Sequence, residues 1–148
     1  MKNKFKSAIF PGLMVGILVT NTCDAQKISS SKVPAPVKES FTKSFPGIKI
    51  ITWEMEDKNY EAGFKQDGKN MSAVFDAAGV LMETETAIKI TELPASATNY
   101  ISQHYKGATI KEAAMIKKSN GEINYEAEIN HKDYLFNSKG EFIKTAKD

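Results

Sequence analysis

The chain has no arginine, a single cysteine, one tryptophan and two histidines among its 148 residues. Without a guanidinium fork, bidentate clamping of phosphates or carboxylates is unavailable, and nucleotide and phosphoryl chemistry lose their usual cationic partner. His104 and His131 are far apart in sequence, and neither has a second histidine or a cysteine at ligand spacing, so no metal is expected. No serine sits in a Gly-x-Ser-x-Gly elbow, and no Gly-x-Gly-x-x-Gly or Walker pattern occurs. Asp57, Asp67 and Asp76 belong to separate turns and do not form a calcium loop. These absences point to a protein that is not an enzyme and carries no cofactor.

Long apolar runs are also missing. The stretch Ala8 to Val19, broken by Pro11 and glycines, is too short to span a bilayer as a helix. It follows Lys2, Lys4 and Lys6 and precedes Cys23-Asp24-Ala25, the layout of an export signal cleaved after Ala25. Lipidation of Cys23 is the competing outcome, but Thr20 and Thr22 stand where such a signal ordinarily has Leu and a small residue. Cleavage would remove the only cysteine, so no disulfide could form and a hydrophobic core must hold the fold. It would also leave 17 lysines against 17 acids, with no basic excess to attract nucleic acid or an anionic membrane. The expected location is the periplasm or the exterior. The expected organisation is a signal over 1–25, a flexible serine-rich spacer over 26–32 and one domain over 33–148.

That domain repeats itself, with copies over 33–90 and 93–148. Val33-Pro34-Ala35 returns as Leu93-Pro94-Ala95, and Val37, Phe41, Phe45 and Gly47 return as Ala97, Ile101, Tyr105 and Gly107. Asn59-Tyr60-Glu61-Ala62 recurs as Asn124-Tyr125-Glu126-Ala127, and Phe75-Asp76-Ala77-Ala78-Gly79 as Phe136-Asn137-Ser138-Lys139-Gly140. Five matches in the same order predict a tandem duplication.

Each copy opens with a helix: proline sets the first turn, apolar residues recur every four positions, and glycine closes it. Alternating segments such as Tyr60 to Lys65 and Ile123 to Asn130 then predict strands with one buried and one wet face. Further strands are expected at 49–56, 71–75, 80–87, 109–117, 134–136 and 142–145, separated by turns at Asp67-Gly68, Asn120-Gly121, Gly79 and Gly140. The fold class is therefore α+β, with each copy one helix followed by about four antiparallel strands and both helices on one sheet face.

The order Val33-Pro34, Phe41, Phe45-Pro46-Gly47, Trp53, Tyr60-Glu61-Ala62 and Phe75-Asp76 to Gly79-Val80-Leu81, with its weaker second copy, resembles the PepSY-like, β-lactamase-inhibitor-like family of secreted bacterial proteins. The resemblance covers 33 to about 145. It implies helices packed on antiparallel sheet, export, no established catalysis and inhibitor-like protein binding. The namesake inhibitor carries disulfides, which this chain could not form after cleavage.

Glu54 and Glu56, and Glu83 and Glu85, lie two apart, which in a strand places each pair on one face. Glu61 joins them. These five glutamates are the candidate surface for a protein or peptide of the cell envelope, and the same pattern also suits the solvated side of a sheet. Glu126 and Glu128 share the spacing. Asp67, at a hairpin tip, is a candidate contact, while Trp53 alternates with Ile51 and Met55 and is expected in the core. The function expected is a non-enzymatic envelope binding module. A small enzyme with an unrecognised site and a passive envelope component stand as alternatives.

Overall fold

The computed structural model describes residues 26–146 apart from residue 57, and the side chain of Glu56 is also outside the description. The expected signal and Cys23 lie outside the described residues. Nine strands form one antiparallel sheet in sequence order: β1 (Gln26–Ile28), β2 (Ile51–Glu56), β3 (Asn59–Gln66), β4 (Lys69–Phe75), β5 (Leu81–Ala87), β6 (Glu112–Lys118), β7 (Ile123–Ile129), β8 (Lys132–Asn137) and β9 (Phe142–Thr145). Helix α1 (Ala35–Ser44) stands between β1 and β2, and α2 (Ala95–His104) between β5 and β6. The two halves follow one element order and share a continuous sheet through β5 and β6.

Both helices start as the prolines dictate. Pro34 and Pro94 occupy the N-cap, and each helix runs for ten residues. Such short helices are marginal alone. They are held by their apolar stripe: Val37 and Phe41 of α1, and Ala97 and Ile101 of α2, are buried. Phe41 meets Trp53 and Phe64 edge-on at 5.6 and 5.1 Å and Phe45 at 5.2 Å, a set of aromatic contacts that fixes α1 to β2 and β3. The second half seats Ile101 where the first has Phe41. There Tyr100 stacks on Phe142 at 4.7 Å, and Tyr105 meets Tyr134 at 4.7 Å. Trp53 is in the core, as its alternation implied.

The segment expected as a flexible spacer is ordered. Residues 26–28 pair with β2, placing Ile28 opposite Trp53, and Ser30–Lys32 form a 3-10 turn before α1. The second half has the same arrangement: Ile88 donates to the carbonyl of Ala113, and Ile90–Glu92 form a 3-10 turn before α2. Ser29, Ser30 and Ser31 are exposed, but Ile28 packs on the first core cluster as Ile88 does on the second.

The repeated turns match in atomic detail. Asp76 Oδ1 accepts hydrogen bonds from the amides of Ala78 and Val80, both at 2.9 Å. Asn137 Oδ1 accepts from those of Lys139 and Glu141 at 2.9 and 3.0 Å. Gly79 and Gly140 close these turns at φ +85° and +76°, and both press on the start of a helix. A Cβ at Gly79 would lie 2.5 Å from the Pro36 carbonyl oxygen, and one at Gly140 would strike Pro94 and the amide of Ala97. Strand pairing slips at the matching places, between Val74 and Phe75 and between Leu135 and Phe136.

Replacing Phe41 or Ile101 with alanine is expected to cost about 2–5 kcal/mol in denaturant unfolding, as for other large-to-small core changes. Losses below about 0.5 kcal/mol at both would remove these side chains from the core. Gly79→Ala and Gly140→Ala should each cost about 1–3 kcal/mol through left-handed strain and the helix clash; unchanged melting of both variants would contradict that packing.

Candidate functional site

The site lies on the sheet face opposite the helices. Register fixes which side chains share it. In one row Lys27, Glu54, Glu61, Val74, Glu83 and Lys118 stand opposite one another across β1 to β6. In the next, Thr52, Gly63, Ser72, Glu85, Ile116 and Asn124 do so across β2 to β7. Ala87, Ala114, Glu126, Leu135 and Lys144 make a third, and Glu112, Glu128 and Asp133 a fourth.

The four described glutamates of the expected surface, Glu54, Glu61, Glu83 and Glu85, therefore do share a face, and Trp53, Tyr60 and Phe64 stand on the other. Their exposure differs from the expectation of a uniformly wet stripe. Glu54 and Glu61 are half-buried, whereas Glu83 and Glu85 are 8 % and 2 % exposed. Glu56 ends β2. Asp67 sits on the β3–β4 hairpin tip at φ +51°, exposed and away from the groove described next. His131 is likewise at a hairpin tip, with Nδ1 3.6 Å from Glu128. His104 bonds the Tyr100 carbonyl at 2.9 Å and stacks on the Tyr100 ring at 4.0 Å.

A groove of about 1020 Å³ opens on this face and is lined from both halves. Its buried lining includes Ser72, Glu85, Ala114 and Glu126. Half-buried Glu54, Glu61 and Glu128 stand further out, with exposed Lys27, Lys49, Lys65 and Lys111 around them. Gly63 keeps part of the lining low, since a Cβ there would meet Thr52 Oγ1 at 2.7 Å. Glu83 belongs to the same face but not to the groove, and faces Lys118 and Lys144.

Polar atoms in this region are buried without hydrogen-bond partners: both carboxyl oxygens of Glu85, one each of Glu83 and Glu126, Ser72 Oγ and Asn124 Oδ1. Beside them Ile116, Leu135 and Ala146 form a small apolar cluster. Burial penalises the charged form, and neighbouring carboxylates penalise it again. Burial, then Glu126 and Glu61, raise the Glu85 carboxyl well above its ordinary 4.5. Burial, then Asp133 and Glu83, push Glu126 up to about 9. Burial also raises Glu83, opposed by Lys118 and Lys144.

Glu126 was not part of the expected surface, and neither were Ser72 and Asn124. The signal for Glu126 was present: it is the counterpart of Glu61 in the repeated Asn-Tyr-Glu-Ala. Among the described residues, no group of three or more His, Cys, Asp or Glu is placed to hold a metal ion. Among the same residues, no helix is long and apolar enough to cross a membrane.

A family model described as "Putative beta-lactamase-inhibitor-like, PepSY-like" matches residues 16–82 and 66–144. The chain belongs to this PepSY-like family. Solved structures share its fold, among them the following three. A "putative periplasmic" protein from Bacteroides eggerthii is 17 % identical, with TM-score 0.69, covering 77 % of this chain and 88 % of its own. A DUF2874 family protein from Bacteroides uniformis is 20 % identical, with TM-score 0.67, covering 76 % and 88 %. A BLIP-like protein from Bacteroides fragilis is 21 % identical, with TM-score 0.57, covering 76 % and 85 %. No curated protein matches the chain.

The raised carboxyls give a signed pH dependence. Between an unfolded value near 4.5 and a folded value near 9, the folded chain holds a proton on Glu126 that the unfolded chain has released. Its contribution to stability is present below 4.5 and is lost as pH rises toward 9, by at most about 1.4 kcal/mol per pH unit per proton. Glu85→Gln and Glu126→Gln should therefore flatten the fall in stability between pH 5 and pH 8. At pH 8 Glu126→Gln should exceed the parent by at least about 1 kcal/mol in chemical unfolding, and Glu85→Gln should shift stability in the same direction. Variants less stable than the parent at pH 8 would show these carboxyls to be ionised and stabilising there.

Proposed function

We propose that the chain is a non-enzymatic, exported binding module of the cell envelope, engaging a protein or peptide through the acidic side of its sheet. One observation carries this reading: both halves contribute glutamates to one groove, and buried polar atoms there have no partner within the chain. Burial without partners costs stability. A fold that only needed to persist would gain from apolar residues at those positions. Family membership and the inhibitor-like name of the family agree with protein binding. His104 serves a helix end, and His131 stands at a hairpin tip beside half-buried Glu128.

Two further readings belong to the proposal. The halves descend from one duplicated unit, supported by the matching 3-10 turns, Asx turns, slips and glycine contacts. Export proceeds through cleavage after Ala25, a reading carried by the Lys2, Lys4 and Lys6 start and the Cys23-Asp24-Ala25 stretch. The mature N-terminus should then be Gln26, and mass analysis finding Cys23 with an added lipid mass would refute it.

The surface is tested by reversing Glu54 and Glu61, which are half-buried and directly opposed across β2 and β3. Glu54→Lys with Glu61→Lys should abolish capture of a basic partner from envelope extract, with little change in melting. Capture by the parent should weaken with salt as screening shortens the reach of charge to about 8 Å or less. A partner retained at full affinity by the double reversal would move binding to the hairpin tips or the second half.

A further inference from the structure

The inner groove has a more specific chemistry than an acidic surface. Ser72 and Glu85 are direct partners across β4 and β5, and Glu126 approaches from β7 of the other half. Between these strands β6 presents Ala114 to the groove, a small side chain beside Glu126. Ser72 Oγ is an independent sign of a ligand: it is a neutral hydroxyl, its side chain is 7 % exposed, and it has no partner. The hydroxyl and the carboxyls together offer acceptor oxygens from three strands. The lining also includes apolar Ala87 and the 86 % exposed Ile50.

We propose that Ser72, Glu85 and Glu126 form a receptor for one alkylammonium or guanidinium group, so that the groove grips a single lysine or arginine side chain of its partner. This rests on the acidic face being the binding surface and names what that face recognises. An ammonium or guanidinium group is a multiple donor with no acceptor, the complement of several unsatisfied oxygens. Its alkyl stem can lie along apolar walls while the charged end reaches the carboxyls. A divalent ion fits less well, because no set of carboxylates here is arranged for coordination and the groove is far larger than an ion. An anion would face the carboxyls unfavourably.

Binding a cation here requires the carboxyls to ionise, and their protons leave to solvent. The charged groups around them act in both directions. Glu54 on β2, Glu61 on β3, Glu83 on β5, Glu112 on β6, Glu128 on β7 and Asp133 on β8 oppose ionisation and attract the cation. Lys65 on β3, Lys118 on β6, Lys144 on β9 and the outer Lys27, Lys49 and Lys111 do the reverse. Affinity for the cation therefore rises with pH over the interval in which the unliganded protein loses stability.

The experiment is calorimetric titration of the protein at pH 6 and pH 8 with four probes. These are cadaverine, a blocked Ala-Lys-Ala peptide, its norleucine analogue and calcium chloride. Cadaverine and the lysine peptide should both saturate below about 10 mM. Their affinity should be at least threefold higher at pH 8, with proton release read from buffers of different ionisation heat. Binding of the peptide but not cadaverine would mean that flanking backbone contributes, and the receptor stands. Glu85→Gln with Glu126→Gln should weaken both at least tenfold while the protein remains folded, checked by its melting curve. Equal binding of the norleucine peptide, binding of calcium alone, no binding of either amine, or affinity unchanged in the double variant would each overturn the receptor. Partner capture separates this from the broader reading. Loss of capture on reversing Glu54 and Glu61, with full capture by the Gln double variant, would keep the acidic surface and discard the ammonium receptor. Full capture by both variants would discard both.

Discussion

Everything in this fold depends on covering one face of a nine-stranded sheet with two helices of only ten residues each. A helix of that length has no independent stability, and an apolar sheet face has none in water. Each is made stable by the other. Phe41 shows how tightly the exchange is set, since it faces four aromatic rings, Phe45 at the C-cap of α1 and one each from β2, β3 and β4. Because the helices take one face, the other is left to the sheet's own side chains, and the groove follows from that division.

The open face is unusual in what it buries. Antiparallel sheets commonly wet one side with alternating polar residues. Here the middle of that side is withdrawn from water, so the same alternation places carboxyls where charge is costly. Burial raises Glu85 and Glu126 toward their protonated forms, and acceptor oxygens are left without donors. The two halves meet at this point: β5 supplies Glu85, β7 supplies Glu126, and β6 lies between them.

Much of the architecture was legible because it is local. Proline at a helix start, a four-residue apolar interval, Asp67-Gly68 at a turn and period-two strands each have a short-range cause. The register that places Glu54, Glu61, Glu83 and Glu85 on one face follows from the same alternation. Burial along that face is not local. Glu54 and Glu85 look alike in sequence, yet one lines the outer groove and the other is sealed beside Ile116. β1 was hidden for another reason: its three residues are polar except Ile28, and its place is revealed by comparison with Ile88 sixty positions on.

A meander in sequence order closes on nothing, so β1 and β9 form the two margins of the described sheet. Such margins invite strands of neighbouring molecules to add on, the route to fibrous aggregates. Here the β1 margin carries Lys27, and the β9 margin is four residues long, carries Lys144 and follows a pairing slip. An incoming strand would find few consecutive amides to bond along β9 and a lysine at either side. The brevity of β9 and the lysine on each margin thus guard the sheet against polymerisation, while the long central strands, shielded by their neighbours, are free to keep their regular ladders.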